Sequence, residues 1–153
     1  MKIITPDHKD TVNITNKKSV FLAGPTPRSS TVKSWRPEVI NEFKKHNFNG
    51  ILFVPETDFT KQNYIDQIEW EDNALHVSIC ILFWIPRNLE TMPGFTTNIE
   101  FGEWMKSGKV ILGYPPKAEK MRYLKEKAFQ YNIPISHTIE ETVYNTILYL
   151  KKE

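Results

Sequence analysis

The chain is poor in the residues on which several large function classes depend. It has one cysteine, Cys80, among 153 residues, so no internal disulfide framework can form. Cys80 lies inside the apolar run Val77–Ile85 and reads as a small core residue rather than a nucleophile. The four histidines, His8, His46, His76 and His137, are scattered. Neither H-E-x-x-H nor a C-x-x-C pair occurs, so no metal-ligand spacing is present. Six glycines supply neither G-x-G-x-x-G nor a Walker A loop, which removes the dinucleotide and P-loop readings. Ser29-Ser30 lacks a G-x-S-x-G elbow. No apolar run approaches the roughly 18 residues of a membrane span, and Met1 to Asp10 has no apolar signal core. Net charge is only +2, short of a nucleic-acid footprint. The basic residues from Lys117 to Lys127 are interleaved with Glu119 and Glu126, as on a solvated helix face. The expectation is a soluble, cytoplasmic protein, with no membrane or nucleic-acid polymer as partner and no metal or organic cofactor.

What is present alternates strand-like and helix-like segments. Ser19–Ala23 is a short apolar run stopped by Gly24-Pro25. Ile51–Val54 is a second strand, and Ile79–Ile85, apolar throughout, has the signature of a central parallel strand buried on both faces. Lys109–Leu112 and Ile133–Ile135 complete a set of about five strands. Helical spacing occurs over Trp35–His46, Tyr64–Val77, Thr97–Lys106, Ala118–Tyr131 and Thr138–Lys151. In the second of these, Ile65, Ile68, Ala74 and Leu75 fall on one side, and Gly108 is placed to cap the third. This alternation predicts one α/β domain over residues 1–153, a doubly wound parallel sheet of the flavodoxin-like, Rossmann-like kind. Residues 1–18 form an N-terminal extension, with an edge strand at Lys2–Ile4 as one option.

In such sheets ligands bind outside the carboxyl ends of strands. Three segments lie there. Gly24-Pro25-Thr26-Pro27-Arg28 offers a close backbone approach at Gly24, a hydroxyl at Thr26 and a guanidinium at Arg28 suited to phosphate or carboxylate. Its plainer reading is a proline-stiffened connection. Glu69-Trp70-Glu71-Asp72 clusters acids around a tryptophan. Glu69 and Asp72 share a helix face, with Glu71 directed elsewhere, and Glu71 or Asp72 is the ligand candidate. Glu100 follows the central strand in T-T-N-I-E-F-G. By spacing alone Thr97 to Glu100 favours a capping box, the form repeated at Thr138 to Glu141. Alternatively Thr96 is the N-cap and Glu100 is free. A helix N-terminus would then favour its ionised form, and Gly102 would let a ligand pack closely.

The ordered segments S-V-F-L-A-G-P (Ser19–Pro25), W-R-P-E-V-I (Trp35–Ile40), I-E-W-E-D-N-A-L (Ile68–Leu75), I-L-F-W (Ile81–Trp84), N-I-E-F-G-E-W (Asn98–Trp104) and K-V-I-L-G (Lys109–Gly113) resemble the nucleoside 2-deoxyribosyltransferase-like family from about Ser19 to Tyr123. The resemblance implies a flavodoxin-like fold and chemistry at an N-glycosidic bond. It makes Glu100 the nucleophile on the anomeric carbon, forming a covalent glycosyl-enzyme. It places Glu71, or Asp72 beside it, at the base. It sets Gly24, Pro25, Thr26 and Arg28 near the sugar or its 5′ group, with Arg87 a second cation for a 5′-phosphate. The classical transferases carry an Asp-Asp-Gly-type segment before the nucleophile helix. Here Met92-Pro93-Gly94-Phe95 stands instead, leaving Thr96 and Asn98 to supply neutral hydrogen bonds. A small-molecule nucleoside or nucleotide as substrate and a homodimer or larger homo-oligomer are implied. The competing reading is a nucleotide-binding sensor module without turnover. A third is an interaction domain recruiting a partner through Ala118–Tyr131.

Overall fold

A computed structural model describes residues 1–7, 17–56 and 63–152. The polar stretch containing His8 lies outside the described residues. Two strands form the centre of the sheet, β2 (Ser19–Ala23) and β4 (Cys80–Trp84), and all of their residues are buried. Side chains along a strand point alternately to opposite faces. The alternation divides these two strands between two cores. Phe21, Ala23, Ile81 and Phe83 point to one side. Val20, Leu22, Cys80, Leu82 and Trp84 point to the other. An uninterrupted apolar run is thus the requirement of a strand covered on both faces.

The flanking strands are β1 (Lys2–Ile4), β3 (Ile51–Phe53), β5 (Val110–Gly113) and β6 (Ile135–Ser136). The sheet has six strands in the order β1-β3-β2-β4-β5-β6, every neighbouring pair parallel. The first core packs under α2 (Tyr64–Val77), α3 (Phe95–Trp104) and α4 (Arg122–Gln130), through Leu75, Phe101 and Leu124. The second packs under α1 (Arg36–Lys45) and α5 (Ile139–Leu150), through Val39, Phe43, Val143 and Leu150. The domain is α/β and consistent with a flavodoxin-like fold. Burial pushes the Cys80 thiol up to about 12, as befits a core residue. Among the described residues no helix is long and apolar enough to cross a membrane.

The sheet differs from the expected five strands because Lys2–Ile4 pairs in parallel with Ile51–Phe53. Helix α4 begins at Arg122 instead of Ala118. Ala118 N–H turns back to the Pro115 carbonyl, and Lys120 has φ 53°, a left-handed conformation no helix can pass through. Gly108 (φ 79°) lies in the turn after α3, whose C-cap is Met105. On α2, Ala74 and Leu75 are buried while Ile65 and Ile68 are exposed, so the apolar residues of that helix do not form one covered stripe.

The order of strands reverses between β2 and β4, since the chain leaves β2 toward β3 and later returns to β2's other side. That switch point leaves a crevice at the carboxyl ends of the two strands. Gly24 makes the exit from β2 possible. It has φ 146°, and a Cβ there would lie 2.1 Å from the Trp84 carbonyl oxygen.

Candidate functional site

A cavity of about 590 Å³ occupies this crevice. Its floor is Phe21, Ala23 and Arg36, and one wall is the turn Gly24, Pro25, Thr26 and Arg28. Helix α2 supplies Tyr64, Gln67, Ile68, Glu71, Asp72 and Leu75, residues spaced to share a helical face. Helix α3 supplies Phe95, Thr96, Ile99, Glu100 and Glu103 in the same manner. Two helices that follow different strands therefore set four carboxyl groups around one space.

Helix α2 is fixed at both ends. The Asn63 side chain accepts from Ile65 N–H at 3.1 Å, an N-cap. Lys109 Nζ donates to the carbonyls of Leu75 (2.7 Å), His76 (3.1 Å) and Ser78 (2.9 Å), satisfying the orphan acceptors at the other end. Helix α3 begins differently from the capping box. Its N-cap is Gly94, left-handed at φ 64°, with no side-chain cap. Thr97 is buried and inside the helix, Thr96 is in its first turn, and Glu100 lies in its second turn. Glu100 is therefore neither a capping partner nor close enough to the helix end for strong stabilisation of its charge. At the other such pattern the threonine does cap its helix: Thr138 Oγ1 accepts from Glu141 N–H at 3.1 Å, while the Glu141 carboxylate accepts from His137 N–H at 3.3 Å.

The surroundings of Glu100 disfavour its ionised form. Burial pushes its carboxyl up to about 8, with Glu71, Glu103 and Asp72 adding repulsion and Arg36 opposing them. The Glu71 carboxyl is also raised, by burial first and by Asp72; Gln67, donating from Nε2 at 2.9 Å, and Arg36 pull it back. Both carboxyls thus face one cavity in which burial disfavours the charged form of each.

Of the residues expected to form a site, Glu100, Glu71, Asp72, Gly24, Pro25, Thr26, Arg28 and Thr96 line this cavity. Glu71 and Asp72 face the space together, so the helix face shared at the cavity is theirs and not that of Glu69 and Asp72. Asn98 and Gly102 lie elsewhere. The Asn98 side-chain oxygen accepts from Arg87 Nη2, and Gly102 is exposed with open space around it. Arg87 is buried, its other guanidinium contact being the Lys120 carbonyl. Arg28 is exposed at the mouth, its guanidinium 5.7 Å from the Phe95 ring centroid. Sequence reasoning missed Arg36, Gln67 and Glu103. The i, i+4 pair Gln67–Glu71 and the i, i+3 pair Glu100–Glu103 were the available signals. Among the described residues no group of three or more acids, histidines or cysteines is placed to hold a metal ion.

A family model described as nucleoside 2-deoxyribosyltransferase like matches residues 17–118, about two thirds of the chain. The chain belongs to the nucleoside 2-deoxyribosyltransferase-like family. No curated protein matches it. Every residue lining the cavity falls within the matched stretch of this nucleoside 2-deoxyribosyltransferase-like protein, while α4, β6 and α5 fall beyond it. Membership supports a glycosyltransferase-like role in general, with a nucleoside as the kind of small molecule concerned.

Proposed function

We propose that the protein cleaves or exchanges the N-glycosidic bond of a nucleoside or nucleotide through a covalent glycosyl intermediate on Glu100. The observation that carries this reading is that Glu71 of α2 and Glu100 of α3 face the same switch-point cavity, where burial raises the carboxyl of each. Of two such carboxyls, one can be ionised while the other keeps its proton. The reactive form is the one with Glu100 ionised and the proton on Glu71. In the first step a Glu100 oxygen attacks the anomeric carbon, the carbon–nitrogen bond breaks, and the departing base takes the Glu71 proton. In the second, a new base or water attacks the same carbon, Glu100 leaves as carboxylate, and the attacker's proton passes to Glu71. The sugar is oxocarbenium-like in each transition state, and nearby carboxylates stabilise that positive charge. Asp72 and Glu103 add to the acidic wall. Thr26 offers its hydroxyl beside Gly24, and Arg28 is the cation available at the mouth for a 5′-phosphate. The protein is read as acting in the cytoplasm, as a homodimer or larger homo-oligomer.

The test is free-base release, followed by chromatography, from a panel of nucleosides and 5′-monophosphates with and without an acceptor base. Wild type is expected to release or exchange base, and folded Glu100→Gln to lose at least about a thousandfold of that rate, as for removal of a covalent nucleophile. Absence of release from every panel member would overturn the reading. A binding module would then remain, favoured by the segment Met92 to Phe95, which brings no acid to the site. It would show as ligand-dependent stabilisation without product.

A further inference from the structure

Arg36 is charged and only 1% exposed. A buried guanidinium is costly unless its N–H groups find acceptors. Here Nε donates to the Leu22 carbonyl at 3.2 Å and Nη2 to the Gly24 carbonyl at 2.8 Å. Nη1 donates to Thr26 Oγ1 at 3.3 Å and to Glu56 Oε1 at 2.7 Å. Its Cζ lies 4.5 Å from the Trp35 ring centroid, and the Trp35 indole N–H donates to the Pro25 carbonyl at 2.9 Å. One cavity wall, Gly24 to Thr26, therefore hangs on two consecutive residues at the start of α1.

A second observation concerns charge. Glu71 and Asp72 of α2 and Glu100 and Glu103 of α3 face the cavity, and Glu56 faces Arg36 from the end of β3. Among the described residues the cations lining it are Arg28, exposed at the mouth, and Arg36 in the floor. The Arg36 field reaches both Glu71 and Glu100 and favours their ionised forms.

We infer that Arg36 is the positioning residue of this site, holding the Gly24 to Thr26 wall in place and setting a fixed positive charge behind the Glu71–Glu100 pair. The assignment rests on the N-glycosidic reading only for its kinetic consequence. It is tested on the full chain by following the Glu100 carboxyl carbon by NMR through a pH titration, with base release assayed alongside. Arg36→Met is expected to raise the Glu100 midpoint by roughly one pH unit, the usual size of a lost nearby opposite charge. Glu56→Gln, which leaves more of the Arg36 field uncompensated, lowers it. Arg36→Lys keeps the charge and the midpoint but cannot span four acceptors, and kcat/KM for base release falls about tenfold or more through misplacement of the wall. A merely structural arginine would cost stability and leave the Glu100 midpoint where it is. An unmoved midpoint in Arg36→Met and Glu56→Gln overturns the assignment, and should Arg36→Met not fold, the direction of change in Glu56→Gln decides. If wild type releases no base while the midpoints move as stated, the N-glycosidic reading fails and the role of Arg36 stands. If base is released and the midpoints do not move, the reverse holds.

Discussion

Glu100 is under two opposed demands. A nucleophile must be ionised, yet burial and the neighbouring Glu71 hold this carboxyl near 8. An ordinary unfolded glutamate titrates at about 4.3. Below that value both folded and unfolded chains carry the proton. Between the two values the folded chain binds a proton that the unfolded chain has lost, so stability falls as pH rises through the folded value. Glu100→Gln abolishes this penalty. The variant is expected to exceed wild type at pH 8 by on the order of 2–4 kcal/mol, and to differ little at pH 5. Urea unfolding at the two pH values measures this, and an equal difference at both would remove the account of a strained buried acid. A variant both inactive and more stable marks a group kept for chemistry at the expense of the fold. By the same reasoning kcat/KM in wild type is expected to be bell-shaped in pH, since the free protein must have Glu100 ionised and a proton on Glu71.

At the scale of elements, the cavity depends on how two turns leave their strands. Gly24 and Gly94 both have positive φ, but they differ in surroundings. A Cβ on Gly24 meets the Trp84 carbonyl oxygen at 2.1 Å and the Trp35 ring at 2.8 Å; on Gly94 its nearest contacts are Pro25 Cβ at 3.1 Å and Thr97 Oγ1 at 3.2 Å. Backbone and a packed indole cannot give way, so Gly24→Ala is expected to cost roughly 3 kcal/mol or more. Gly94→Ala carries mainly the left-handed penalty of about 1–2 kcal/mol. Thermal unfolding of the two variants checks the ranking, and equal losses would contradict it. Gly94 also explains why the beginning of α3 was misread. Thr97 and Glu100 have the spacing of a capping box, but a left-handed glycine three residues earlier starts the helix first. The pattern at Thr138 to Glu141 is identical in form and its threonine does cap the helix, because the Thr138 backbone is extended at φ −128° and ψ 155°. Spacing reports side-chain reach, whereas a helix start is decided by backbone conformation, which a single glycine can shift.

For the whole molecule, legibility followed burial. The runs Ser19–Ala23 and Ile79–Ile85 announced a parallel sheet because both faces are covered, whereas the strand order, and with it the switch point, is seen only in the fold. The role of Arg36 was not legible, since its acceptors come from β2, the following turn and the end of β3, which only the folded topology brings together. The face of α2 was misjudged for a related reason. Ile65 and Ile68 have core composition but stand in solvent. Ile99 on α3 is 70% exposed and Ile65 62%, and Tyr64 and Phe95 beside the cavity mouth are exposed as well. Exposed apolar side chains on the two helices that border a groove fit association better than solvation. The chain is therefore expected to sediment as a dimer or larger assembly at micromolar concentration. Ile65→Lys with Ile99→Lys is expected to remove about 3 kcal/mol or more of apolar burial, raising the dissociation constant at least about a hundredfold and giving monomers. A monomeric wild type would show that these helices meet no second copy. Dimers that persist in the double variant would place the interface elsewhere. If base release falls in parallel with dissociation, the cavity works only when its open rim is covered by a partner.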